Sequence, residues 1–370
     1  MTGVRGARRQ LLVYLAGLMA AIAFLQFARA RYVFDFNDAA FGQLTTGIYG
    51  ERSGGVHCDG LESKLCETTY EAAGRPPAVL WLGNSQLPGV NRYRPGERTA
   101  VMDLHERVRA RGRYLVGYSL PGATLFEHAI ILNKVAPKFT FDTLVLAVVF
   151  NNLRESPVRD GMAKVLREPD VLARVGRSLE APSLLPLAAG ETAQEPAPGA
   201  SETLAARVER NLDTAIGRVW PLWAERPKLR ALASYAFHVM RQKPFGINAQ
   251  TKRPVLNSGY ATRMAVLDQM LKDARASGML ALVYIAPYRQ DIRGPYIETE
   301  YAQFKKDVER IARDNAARYL DIDGIVPGAE WGMVRDYLTG TDDFDFMHFT
   351  AGGHRRLSDA IDRELRAAGR

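Results

Sequence analysis

Apolar residues fall into two kinds of run along this chain. Ala78–Leu82 (AVLWL), Tyr114–Tyr118, Leu144–Phe150 (LVLAVVF), Leu280–Ile285 and a shorter run near Tyr319–Ile322 are short and unbroken. Runs of that length without polar alternation read as strands covered on both faces. Between and after them, Glu97–Arg111, Ala123–Val135 (stopped by Pro137), Ala261–Ser277, Ile297–Ala317 and Ala351–Ala368 have helical spacing. Strands alternating with helices at this period predict a three-layer α/β/α fold around a sheet of about five parallel strands.

The rhythm fails in three segments, which divide the chain into 1–31, 32–76, 77–155, 156–260 and 261–370. In the first, Arg5, Arg8 and Arg9 precede an apolar run from Leu11 to Ala28 interrupted only by Gln26. A span of roughly 20 apolar residues crosses a bilayer, and basic residues before it keep that end in the cytoplasm. A retained transmembrane anchor is expected, with the remainder exported. A cleaved signal peptide is the competing reading, because Ala28-Arg29-Ala30 resembles a cleavage site. Residues 32–76 look irregular. Segment 156–260 reads as a helical insertion with a Pro/Ala/Glu-rich loop near 180–202. Trp220, Trp223, Tyr235 and Phe237 follow that loop.

Composition changes this picture little. An apolar fraction of 47% is ordinary for a folded chain. The net charge of +8 is spread over scattered arginines, without a basic helix, an aromatic platform or zinc-ligand spacing, so nucleic acid is not an expected partner. Attraction to anionic membrane or to acidic envelope polymers is the softer reading. The two cysteines, Cys58 and Cys66, are close enough for a local disulfide in an oxidising compartment; two free thiols are the other reading.

Active sites of open parallel sheets lie at the carboxyl ends of strands. There the sequence supplies Gly83-Asn84-Ser85, Pro121-Gly122-Ala123, Asn151-Asn152-Leu153-Arg154-Glu155 and Ala286-Pro287-Tyr288-Arg289. Asp345-Phe346-Met347-His348 stands just before the last helix. A serine at a tight strand-to-helix turn needs a neighbouring base to become nucleophilic, and His348 is the candidate. Asp345 would fix the tautomer of His348. The N–H groups of Ser85 and Gly122, with the Asn151 amide, would form an oxyanion hole. Asn152, Arg154, Tyr288 and Arg289 are candidates for substrate contact, although Arg154 with Glu155 also reads as a surface ion pair. Gly89 and Gly122 suit backbone geometry. His105 and His128 read as surface or satisfied core groups, and His354 as a cap or a solvent-facing residue. No metal or organic cofactor is implied, since serine–histidine chemistry needs none.

These blocks resemble those of the SGNH (GDSL) hydrolases. Gly83-Asn84-Ser85 with Gly89 stands where that family has Gly-Asp-Ser with a glycine four residues after the serine, so Asn84 replaces an aspartate. Gly122 matches the second block. Val149-Phe150-Asn151-Asn152 departs from the usual Gly-x-Asn-Asp, and Asp345 to His348 is intact. The resemblance covers about 77–155 and 261–368 and implies a flavodoxin-like sheet with a serine triad. An N-terminal anchor and a helical insertion are also similar in layout to the lipoteichoic-acid D-alanylation proteins and the SGNH-like alginate and cellulose O-acetylation proteins.

By that analogy the chain is expected to be a periplasmic serine O-acyltransferase, single-pass in the inner membrane. It would modify a cell-envelope glycan or polyol phosphate through a Ser85 acyl-enzyme, beside a membrane-bound O-acyltransferase. A periplasmic esterase or deacetylase is one alternative. A non-catalytic polymer- or partner-binding protein is the other.

Overall fold

The computed structural model describes residues 48–89, 96–154, 158–178, 251–252, 254–256, 259–292, 294–335 and 342–370. They belong to one compact unit built from 43–195 and 243–370. The expected anchor, the Pro/Ala/Glu-rich loop and the aromatic residues from Trp220 to Phe237 lie outside the described residues. Among the described residues no helix is long and apolar enough to cross a membrane.

A six-stranded parallel sheet forms the middle layer. Its strands are β1 (His57–Asp59), β2 (Ala78–Gly83), β3 (Tyr114–Ser119), β4 (Phe141–Val148), β5 (Leu280–Ile285) and β6 (Arg318–Asp321), in the spatial order β1-β3-β2-β4-β5-β6. Successive side chains of a strand point to opposite faces. Leu80, Leu82, Leu144, Leu146 and Val283 therefore enter one core while Val79, Trp81, Val145, Ala147 and Tyr284 enter the other. Two buried faces need apolar residues at every position, which is why these strands read as unbroken runs. Where polar atoms do enter, they pair: the Trp81 indole N–H donates to the Tyr284 hydroxyl at 3.2 Å.

The first core is covered by α1 (Lys64–Ala72), α3 (Leu125–Val135), α5 (Pro169–Ser178), α6 (Tyr260–Ala276) and α7 (Glu298–Asp314). The second is covered by α2 (Ala100–Arg109) and α8 (Ala351–Ala367). Short α4 (Asp160–Leu166) precedes α5. Thr124 caps α3 in a reciprocal box with Glu127, satisfying two otherwise orphaned N–H groups.

Two parts of this architecture depart from the expectation. The segment 32–76 is not wholly irregular: it contains edge strand β1, paired with β3, and helix α1. The second is an antiparallel ribbon of β7 (Trp331–Arg335) and β8 (Asp342–Phe349), lying apart from the main sheet where no strand was expected. Cys58 on β1 and Cys66 on α1 form the expected disulfide, so the free-thiol reading falls.

Candidate active site

The chain leaves β2 to form β3 on one side and then crosses to β4 on the other. The crevice beyond the carboxyl end of β2 is therefore the topological switch point of the sheet, where ligands of such folds bind. Ser85 stands there. The Leu87 N–H donates to the Asn84 carbonyl at 3.1 Å, closing a turn with Ser85 in its second position. The Asn84 side-chain oxygen accepts the Gln86 N–H at 3.0 Å, a role an aspartate oxygen would also fill, so the substitution of this block keeps the turn. Among the described residues no helix follows directly: the next, α2, begins at Ala100, so the expected strand-to-helix turn is corrected to a free-standing turn.

The Ser85 hydroxyl lies 2.8 Å from His348 Nε2, and His348 Nδ1 lies 2.8 Å from Asp345 Oδ2. The other Asp345 oxygen accepts the N–H groups of Met347 and His348 at 2.8 and 2.9 Å. Burial works to raise the Asp345 carboxyl, but the facing imidazole and these backbone donors outweigh it. They hold the group below the ordinary aspartate range.

The pair sits on a bulge. Trp331 pairs with Phe349 and Met333 with Phe344, so Gly332 alone faces the four residues 345–348. Extra residues in one strand bend it and re-aim its side chains. Here they let Asp345 fold back onto its own His348.

The strand-end loops are stitched together. The Leu120 N–H reaches the Gly83 carbonyl at 3.3 Å, and the Asn152 side-chain N–H reaches the Ala123 carbonyl at 2.8 Å. Arg159 forms a fork onto Glu127 and donates to the Pro121 carbonyl at 2.7 Å. Gly122, in the middle of this loop, has φ of 67°, a left-handed conformation that suits glycine. The N–H groups of Ser85 and Gly122 and the amide of half-buried Asn151 have no partner among the described residues. Donors left unsatisfied at one crevice suit a developing anion.

Other candidates divide. Asn152 is buried and committed to Ala123, so its proposed substrate contact is replaced by a structural bond. Arg289 is also corrected: its guanidinium is buried, forked onto Asp291 and laid 4.4 Å over the Phe344 ring. Tyr288 lines a cavity of about 610 Å3 with Tyr296 and Tyr301, and no triad residue is part of that lining. Arg154 lies in the turn after β4, with its side chain and Glu155 outside the described residues. His105 is a satisfied core group, with Nδ1 2.8 Å from the Leu115 carbonyl. His354 is fully buried and does not face solvent; its Nδ1 accepts the Ala100 N–H at the start of α2.

Gln86 was not singled out from sequence. It is buried, and its side-chain amide donates to the carbonyls of Pro287 at 2.6 Å and Met347 at 2.7 Å. A glutamine directly after a candidate nucleophile, inside an apolar neighbourhood, was the available signal.

No protein-family model and no curated protein matches the sequence. Among solved structures, the chain is similar to the acetylxylan esterase Axe2 from Geobacillus stearothermophilus, at 12% identity over 78% of this chain and 94% of that one, TM-score 0.36. It is also similar to TesA (12%, 78% and 98%, TM-score 0.39) and to the psychrotrophic esterase EstA from Pseudoalteromonas sp. (10%, 78% and 98%, TM-score 0.36).

Proposed function

We propose that this protein is a serine-dependent acyl-ester enzyme of the SGNH type. The observation that carries the reading is the unbroken relay from Ser85 through His348 to Asp345 at the switch point of the sheet. Ser85 attacks an ester carbonyl as His348 Nε2 takes its proton. The oxyanion is held by the Ser85 and Gly122 N–H groups and the Asn151 amide. On collapse the protonated His348 gives its proton to the departing alkoxide, leaving an acyl-enzyme. An incoming hydroxyl, deprotonated by His348, then takes the acyl group and restores Ser85.

With water as acceptor the protein is an esterase, and this is our first reading, since nothing beyond the relay itself is required. With a polymer hydroxyl it is an O-acyltransferase of the cell envelope, held by 11–28 at the inner membrane and supplied by a membrane-bound O-acyltransferase. The Cys58–Cys66 bond, typical of oxidising compartments, supports an exported domain for either reading.

The test is acyl release from p-nitrophenyl acetate by the full-length chain, with and without an oligosaccharide acceptor. Ser85→Ala and His348→Ala are each expected to lower the rate by about 1000-fold or more. A rate that rises with acceptor and yields acylated glycan selects transfer. Wild type no faster than Ser85→Ala on a panel of acyl esters would sink the catalytic reading in favour of a polymer-binding protein.

A further inference from the structure

Gly122 stands third in the turn Leu120-Pro121-Gly122-Ala123, which the Ala123 N–H closes by donating to the Leu120 carbonyl at 2.9 Å. A proline second and a glycine of φ 67° third are the marks of a type II turn. A type I turn closes with the same hydrogen bond, and proline and glycine tolerate both. Between the two types the central peptide turns over by roughly half a rotation. The turn by itself therefore leaves open which way the Gly122 N–H faces.

The groups on either side are held. The Leu120 N–H donates to the Gly83 carbonyl, the Ala123 carbonyl accepts from Asn152 at 2.8 Å, and the Thr124 N–H donates to Glu127 at 3.1 Å. The central peptide is held from one end: Arg159 Nη1 donates to the Pro121 carbonyl at 2.7 Å. This peptide is trans, and its C=O and N–H point in opposite directions. A donor fixed on the Pro121 oxygen thus aims the Gly122 N–H away from Arg159. Turning the peptide over would break that bond.

Arg159 is itself braced. Its Nε and Nη2 fork onto the two oxygens of Glu127 at 2.7 and 2.9 Å, and its backbone N–H donates to Glu127 at 3.1 Å. Glu127 is fully buried in the first turn of α3, where an unpaired carboxylate would be costly. A Cβ on Gly122 would stand 3.7 Å from Arg159 Nη2, so the guanidinium packs directly against the turn. Its bond to Pro121 is charge-assisted, and hydrogen bonds in series polarise one another. The Gly122 N–H becomes the better donor for it.

We propose that Arg159, braced by Glu127, is a positioning residue for the oxyanion hole: it sets the Pro121–Gly122 peptide so that the Gly122 N–H faces the developing oxyanion. Arg159 acts through that peptide and not on the substrate. The inference rests on the acyl-ester reading for its oxyanion and on the Arg159–Pro121 bond for its aim.

Arg159→Met alone would leave Glu127 buried and unpaired, so it is combined with Glu127→Gln. The glutamine oxygen can still accept the Thr124 N–H, and no buried charge remains. On p-nitrophenyl acetate the full-length double variant is expected to lose about 100-fold in kcat, as for one oxyanion donor, with KM within about twofold. Its crystal structure should show the Pro121–Gly122 peptide turned over or in both orientations. Arg159→Ala, with Glu127 kept, should regain about tenfold in kcat when ethylguanidinium fills the vacated fork. Unchanged kcat in the double variant, a rise in KM that accounts for the lost kcat/KM, or no rescue of Arg159→Ala would overturn the inference. The acyl-ester reading survives each of those results as long as activity still requires Ser85. Wild type no faster than Ser85→Ala removes the acyl-ester reading, and the inference with it.

Discussion

Gln86 Nε2 lies 2.7 Å from the carbonyl oxygen of Met347, and through that bond the turn carrying Ser85 is tied to the bulge carrying His348. The same nitrogen holds the Pro287 carbonyl. One amide thus spans three segments distant in sequence, and the 2.8 Å approach of Ser85 to His348 depends on their register.

Gln86→Met keeps the length of the side chain but leaves two carbonyls without this donor. Losing such a partner costs about 1–3 kcal/mol. Part of that cost is expected to appear as a misplaced relay: kcat down by about tenfold or more, with KM little changed. Gln86→Glu should be worse, since a carboxylate would face two carbonyl oxygens. Unchanged kcat in Gln86→Met, measured on p-nitrophenyl acetate, would show that the relay holds its register without this amide.

Asp345→Asn separates orientation from folding. The amide oxygen can still accept the Met347 and His348 N–H groups, so the bulge should persist. The amide nitrogen, however, would donate to His348 Nδ1 and place the imidazole proton on Nε2, facing Ser85. A loss of about 10⁴ in kcat is expected, with little change in thermal midpoint. A loss under tenfold would mean that Asp345 does not set the tautomer.

How much of this was legible follows burial. β2, β3 and β5 could be read because both faces of the sheet demand apolar residues, and Leu280–Ile285 matches to the residue. β4 begins at Phe141, three residues before the expected Leu144, because Asp142 and Thr143 break the apolar run without leaving the strand. β1 has only three residues and forms by pairing with β3, so no local period announces it. β8 is Asp-Asp-Phe-Asp-Phe-Met-His-Phe; its charge hides a strand whose pairing with β7 is a tertiary fact. The candidate triad was legible because residue types at strand ends are local. Gln86 was not, because its partners Pro287 and Met347 lie 201 and 261 residues away.

The two asparagines after β4 should behave differently. The Asn151 side chain has no partner among the described residues, so Asn151→Ala is expected to lower kcat by about 100–1000-fold, the usual cost of one oxyanion donor, and to leave stability unchanged. Asn152 holds the Ala123 carbonyl, so Asn152→Ala should cost about 1–3 kcal/mol of stability. Denaturant melts beside kinetics would show it if the roles are reversed.

Acid sensitivity follows from three histidines that the proposed chemistry leaves unused. His57, His128 and His354 are fully buried, and loss of hydration pushes each imidazole down to about 3. Arg159 adds to this at His128, and His57 and His348 add to it at His354. In the unfolded chain each titrates near the ordinary value of about 6.5. Between about pH 6.5 and 3 the unfolded state therefore binds more protons than the folded one, so stability is full above that window and falls as pH drops through it. Three such groups give a limiting slope of about 4 kcal/mol per pH unit, enough to matter against a typical total of about 5–15 kcal/mol. Denaturant midpoints measured at pH 7.5, 6 and 5 should fall steeply, before most carboxylates titrate. His128→Met should remove about one of the three protons from the slope. A midpoint flat from pH 7.5 to 5 would mean that these imidazoles gain protons in the folded state, and that water reaches them.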